Sequence, residues 1–148
     1  LIVNRDELIF INTNKKTENI HEIVLIDRFD FSESHISINL QDSIEDIDGI
    51  NKNMEWDFDA EKIQFPLRLR KHQDGDEFYP TGFSGKKKVS KFFRDEKLSI
   101  LARQKIWILS DSNNSVLGII PFRQDRRYAK DEKTERILKI FNETKNEI

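Results

Sequence analysis

Residues 67–95 read LRLRKHQDGDEFYPTGFSGKKKVSKFFRD, and this stretch decides both the fold class and where function is to be sought. Leu67 and Leu69 alternate with Arg68 and Arg70, the period of a half-buried strand, which predicts arginines along its wet face. Asp74-Gly75 supplies a turn and Pro80-Thr81-Gly82 a second break. Gly82 and Gly85 then bracket a short loop whose amides can point outward. Val89, Phe92 and Phe93 stand at i, i+3 and i+4, which predicts a helix from Lys88 to Lys97 that buries both rings. Lys88, Lys91 and Arg94 fall towards its rim or solvent. Together these elements form an anion-facing edge.

On the C-terminal side, Lys105 to Ser110 and Ser115 to Phe122 are two apolar runs around Asp111-Ser112-Asn113-Asn114, the best hairpin signal in the chain. Ser99 to Gln104 reads as a short helical or irregular link. Arg136 to Phe141 fits a helix by its spacing and a strand by its composition. On the N-terminal side, Leu1-Ile2-Val3 and Glu7 to Asn12 form a hairpin-like pair. Glu22 to Asp27 and Ile36 to Leu40 read as strands, and Ile44, Ile47 and Ile50 as a helical turn or irregular cover. Residues 1–55 are thus expected to be a small β-rich linker or subdomain ahead of a second domain over 56–148.

Composition narrows the classes. Hydrophobic residues make up 36% of the 148 and charged residues 35%, which suits a polar but folded chain because its 11 Phe are spread throughout. With no cysteine, disulfides, thiolate metal sites and thiol nucleophiles are excluded. His21, His35 and His72 have no metal-ligand spacing, and no run has the length of a membrane span. A cytoplasmic, metal-free protein that avoids membranes is expected. The net charge of -2 hides an asymmetry: residues 1–66 carry 6 basic and 15 acidic side chains, whereas residues 67–148 carry 19 and 12. A basic half of this kind suits a polyanion.

Several motifs bear on chemistry. Gly82-Phe83-Ser84-Gly85-Lys86 lacks the Walker spacing, because only two residues separate its glycines. It is formally a G-x-x-G, but only one helix flanks it, unlike a KH clamp. What remains is a flexible loop backbone and the charge of Lys86 to Lys88, suited to a phosphate. Phe92 and Phe93 are read as core, leaving Phe83 and Tyr79 as the aromatic side chains available for stacking. Asp74, Asp76 and Glu77, or Asp76 with Asp125, are not read as a metal or acid–base pair, since turns collect aspartates. Asp76 and Asp95 are read as orienting nearby Arg or Lys or capping local backbone. Arg123, Arg126 and Arg127 lie close in sequence and either extend the basic edge or pair with Asp125.

The run Arg68, Arg70, Gly75-Asp76, Phe78, Pro80, Gly82, Gly85-Lys86-Lys87, Lys91-Phe92-Phe93 and Asp95 resembles the C-terminal domain of bacterial tRNA(Ile)-lysidine synthetases. Asp59-Ala60 to Arg70 is similar to the segment that leads that domain, and Arg123, Asp125, Arg127 and Tyr128 match its G-x-R-x-D-x-R-[FY] motif. Pro121 departs from it where glycine is usual, fixing φ and removing an amide donor. The resemblance covers about residues 57–140.

It implies an α+β fold, a small β-sandwich or partly open barrel of short strands with one covering basic helix, similar to a module of the phenylalanyl-tRNA synthetase β subunit. It also implies a parent ligase that uses ATP, with Mg expected, to adenylate C2 of the wobble cytidine of tRNA(Ile) and join the lysine ε-amine there. That chemistry belongs to an N-terminal α/β domain with an S-G-G-x-D-S loop, which these 148 residues lack. The fragment is therefore expected to have no catalytic centre and no cofactor of its own. It would bind tRNA(Ile) on its acceptor-stem side through Arg70, Lys86, Lys87, Lys88, Lys91, Arg94, Arg123 and Arg127. Packing on the catalytic domain and homodimer formation are further partner expectations. The competing reading is a stand-alone module for RNA or an acidic protein.

Overall fold

A computed structural model describes residues 2–3, 6–10, 22–26, 35–40, 47 and 53–142. Two five-stranded sheets form its frame. The first runs β1 (Ile2–Val3), β2 (Asp6–Phe10), β4 (His35–Asn39), β12 (Ile137–Asn142) and β5 (Met54–Asp59). The β2–β4 and β4–β12 pairings are parallel, and β1–β2 and β12–β5 are antiparallel. The second sheet runs β11 (Arg123–Gln124), β10 (Val116–Ile120), β9 (Trp107–Ser110), β6 (Leu67–Arg70) and β3 (Glu22–Ile26), all antiparallel. Strands from the first 55 residues thus enter both sheets beside strands of the second part. The hairpin-like opening is present as β1 and β2, with Ile2 opposite Leu8. Ile44 and Ile50 lie outside the described residues, whereas Ile47 is buried.

The sheets face each other across a core of Ile38, Trp56, Phe58, Leu67, Leu69, Leu109, Leu138 and their neighbours. Alternation puts these residues there: Met54, Trp56 and Phe58 point inward from β5, and Leu138 and Ile140 from β12, while the residues between them face out or lie half-buried. Period-two burial settles the ambiguous segment at Arg136 to Phe141 as a strand. β5 is a strand that the sequence reading left unassigned.

A second apolar layer covers the other face of the second sheet. Ile108, Val116 and Ile119 project into it and meet Phe78, Val89, Phe92, Phe93 and Leu98. Helix α1 (Val89–Asp95) buries the three side chains its spacing selects. Phe92 meets Phe78 edge-on at 5.6 Å and Phe122 at 6.2 Å. A two-stranded ribbon, β7 (Glu77–Phe78) and β8 (Lys87–Lys88), leads into this helix. Helix α2 (Ile100–Lys105) follows, capped by the Ser99 hydroxyl, which accepts from the Ala102 amide at 3.1 Å.

Coverage on both faces explains why all five residues of β10 are buried, and it corrects one expectation about β6. The face carrying Arg68 and Arg70 is not wet, because the helical layer and its loops lie over that side; Arg70 is only 2% exposed. In β10 the register shifts between Val116 and Gly118, a bulge that sends Leu117 to the sandwich core. Gly118 leaves room for the Trp56 ring, from which a Cβ at that position would lie only 2.4 Å, so a side chain there must displace the ring. Pro121, following a cis peptide bond, is buried in the turn to β11, and the Phe122 amide closes that turn on the Ile119 carbonyl at 2.6 Å.

Candidate nucleic-acid interface

The loop from Tyr79 to Lys86 is fastened to the strand end at 123–127 by a ladder of backbone and arginine bonds. Gly82 and Gly85 have φ of 77° and 110°, conformations that favour glycine and let the loop fold back. The Thr81 amide donates to the Gln124 carbonyl at 3.0 Å and the Arg126 amide to the Tyr79 carbonyl at 2.8 Å. Arg123 donates to the Thr81 carbonyl at 2.9 Å, and Arg126 Nε to the Phe83 carbonyl at 3.2 Å. Arginines therefore both fasten this loop and charge it.

Asp125, fully buried, organises the cluster. Its carboxylate accepts from the Tyr79 amide at 2.9 Å and from the Arg127 amide at 2.8 Å. It also accepts Arg127 Nε at 3.1 Å and the terminal Nη2 at 2.9 Å, a two-pronged pair. Burial works against the charged guanidinium, but the bonds to Asp125 outweigh it and hold the Arg127 pKa above its ordinary value. The Arg127 guanidinium lies 4.2 Å from the centre of the Tyr79 ring and 5.0 Å from that of Tyr128, with Arg126 at 5.2 Å from Tyr79. Arg127 is thus fixed, while its side chain stays 40% exposed.

The eight predicted tRNA-binding residues fall into three groups. Arg70 is the correction: its guanidinium forms a bidentate pair with Asp76 at 2.9 Å and 2.9 Å, donates from Nε to Asn114 at 2.8 Å, and is buried. It cannot reach an RNA from there, and its work is to join the turn at Asp76 to the hairpin loop at Asn114. Lys87 and Arg123 are largely occupied within the fold. The Lys87 ammonium, its side chain 14% exposed, pairs with Asp95 and lies near the Phe83 and Phe92 rings. Hydrogen bonds from Lys87 and then Lys91 hold the Asp95 carboxylate below its ordinary pKa. Lys86, Lys88, Lys91, Arg94 and Arg127 remain exposed, with Lys86 3.4 Å from Glu77 and Lys91 3.3 Å from Asp95.

At the start of α1 the Val89 amide donates to the Asp76 carbonyl at 2.9 Å and is not open to a ligand. Lys86 and Arg127 come together on one open groove of about 460 Å3, shared with Tyr79, the turn at 73–77 and the hairpin residues 114–116. Sequence reasoning passed over Asn114 and gave Arg126 no place among the tRNA-binding residues. Arg126 stood beside a matched arginine, whereas nothing local to Asn114 marks it. Phe83 is 43% exposed, as the spacing allowed. Among the described residues no group of acidic or histidine side chains could hold a metal ion, and no helix is long and apolar enough to cross a membrane.

No family model matches the sequence. A crystal structure of a TILS C-terminal domain superposes with a TM-score of 0.51 at 19% identity, covering 63% of this chain and 70% of that one. An N-terminal fragment of the Pyrococcus horikoshii phenylalanyl-tRNA synthetase β subunit superposes at 0.49, with 18% identity, over 90% of this chain and 42% of that one. The fold is therefore of the TILS C-terminal class, a sandwich with a helical layer on one face.

Among curated proteins, the tRNA(Ile)-lysidine synthase of Parabacteroides distasonis is 33% identical over 140 residues, 93% of this chain and 31% of that protein. That of Bacteroides thetaiotaomicron is 38% identical over 81 residues, 55% of this chain and 19% of that protein. The chain belongs to the tRNA(Ile)-lysidine synthase family and spans less than a third of the length of these two relatives.

Proposed function

We propose that this chain is the tRNA-binding, non-catalytic C-terminal part of a lysidine synthase, whose parent enzyme uses ATP to ligate lysine to C2 of the wobble cytidine of tRNA(Ile). The observation that carries the reading is the pairing of Lys86 with a rigidly held Arg127 on one open groove, beside exposed Arg126. Fixed guanidinium and mobile ammonium groups are the ordinary means of holding an RNA backbone, since phosphate contacts set register and orientation without reading sequence. An A-form acceptor stem is a suitable partner because its shape is read through phosphates and 2′-hydroxyls.

Holding one end of the tRNA lowers the entropic cost of presenting the anticodon to a catalytic domain elsewhere in the parent enzyme. ATP and Mg belong to that domain in this reading, which also places the protein in the cytoplasm. Packing of this chain on the catalytic domain is part of the same proposal.

The test is a titration of tRNA(Ile) against the chain at several salt concentrations. Removing one side chain that neutralises a phosphate flattens the dependence of log affinity on log salt by about 0.7 to 0.9. The double substitution Lys86→Ala with Arg127→Ala is expected to weaken binding and lower the slope by roughly 1.4 to 1.8. Equal affinities and parallel slopes for wild type and variant would remove both residues from the interface. With ATP, lysine and tRNA(Ile), the isolated chain is expected to release no AMP, and release of AMP would overturn its non-catalytic assignment.

A further inference from the structure

The groove that holds Lys86 and Arg127 is not uniformly basic. Asp74, Asp76 and Glu77 also line it. A surface meant only for duplex phosphates gains nothing from carboxylates, which repel them. The three acids differ in what they already do. Asp76 is occupied by Arg70 and by the Gln73 amide at 2.8 Å. Glu77 sits 3.4 Å from Lys86. Asp74 is exposed and has no hydrogen bond or ion pair among the described residues. Two accepting carboxylates and two cations therefore share one cleft, whose 460 Å3 lies in the usual small-ligand range of about 300–1,000 Å3.

The cleft is also built. Buried Arg70 bonds the turn at Asp76 and the loop at Asn114, fixing two parts of the lining relative to one another, and the Asn114 amide donates to Gln73 at 3.3 Å. Tyr79 has two guanidinium groups close to its ring, so it helps to hold Arg127 in place.

We infer that this groove takes a single unpaired nucleotide of an RNA, with its phosphate on Arg127 and Lys86 and its amino-bearing base edge on Asp74 and Glu77. The inference rests on the RNA-binding reading above. Adenine, cytosine and guanine carry amino donors that a carboxylate accepts. In an A-form duplex one hydrogen of each amino group is taken by the partner base, and the adenine and cytosine amino groups face a major groove too deep and narrow for side chains, so an unpaired base offers these donors most freely. Uracil presents carbonyl oxygens on both sides of one N–H and is repelled.

Fluorescence anisotropy with the whole chain tests this, using a blunt RNA duplex and the same duplex extended by one 3′ A, C, G or U. The A, C and G overhangs are expected to bind about tenfold tighter than the blunt or U-ended duplex, the order of one good base contact. Asp74→Ala with Glu77→Ala should bind the four overhang duplexes alike, with the blunt duplex held no more weakly than by wild type. Asp74→Ala alone, on an exposed turn, should lose part of the preference and keeps the test valid if the double variant misfolds. Equal binding of the five RNAs by wild type overturns this inference while leaving the RNA-binding reading standing, and binding of none overturns both. A preference that survives in the Asp74→Ala and double variants also overturns it.

Discussion

Replacing Arg70 by alanine separates a structural arginine from an RNA-contacting one. The guanidinium makes four hydrogen bonds, two to Asp76 at 2.9 Å, one to Asn114 at 2.8 Å and one to the Lys71 carbonyl at 3.1 Å. Both partners of the ion pair are sequestered, with side-chain exposures of 2% and 8%. Truncation leaves the Asp76 carboxylate out of water with only the Gln73 amide as donor. Breaking one side of a buried pair typically costs about 3–5 kcal/mol, a large part of the roughly 5–15 kcal/mol by which domains are stable. Urea denaturation followed by the fluorescence of Trp56 and Trp107, both buried, reads this directly. Arg70→Lys should recover little, because an ammonium cannot reproduce the fork. Arg70→Met combined with Asp76→Leu should recover much of the loss, since removing both charges leaves neither stranded. A loss below about 1 kcal/mol in Arg70→Ala, the range of an exposed ion pair, accompanied by weaker RNA binding, would refute the buried-staple account.

Phe92→Ala should destabilise the chain by about 3–5 kcal/mol in the same assay, because the ring is 2% exposed and packs against Phe78 and Phe122. Gly118→Ala should cost about 1–3 kcal/mol and shift tryptophan emission, as the new methyl displaces the Trp56 ring. Lys139 on β12 reaches Asp57 at 2.9 Å and Glu55 at 3.1 Å on β5. Burial raises the Asp57 pKa, but bonds from Lys139 and Lys130 outweigh it and hold it below its ordinary 3.8; the bond to Asp57 raises that of Lys139 above 10.5. The Asp57 contribution is therefore full above pH 3.8 and lost as pH falls through the lower folded value, while that of Lys139 is full below pH 10.5 and lost as pH rises through the higher folded value. Urea midpoints across both windows should fall less steeply in Lys139→Met than in wild type.

Local periodicity made much of this fold legible. The i, i+3, i+4 spacing of Val89, Phe92 and Phe93 located α1 and its buried face, and the turn formers at 111–114 located the β9–β10 hairpin. Alternation at Leu67 to Arg70 located a strand, but a period says which residues share a face, not whether that face is covered. The cover comes from α1 and its loops, and Arg70 consequently changed from surface contact to internal staple. Its partner Asn114 is 44 residues away, and nothing local to either residue signals the bond. The same limit applies to β12, whose neighbours β4 and β5 are set by pairings across most of the chain. At the interface, Lys86 and Arg127 were named from charge and resemblance, while the groove they share depends on the turn, loop and strand end meeting in three dimensions.

The position of β12 has a consequence for synthesis. Among the described strands it is the last in sequence, yet it lies in the interior of its sheet, between β4 and β5. As a ribosome delivers the chain from its N-terminus, every described strand of the opposite sheet has been made by residue 124, whereas β4 and β5 wait with unpaired edges until residue 142 has emerged. A nascent chain stalled before that point presents strand edges suited to a chaperone or to another nascent copy. Completion of this half of the sandwich therefore follows synthesis of every described strand of the other half.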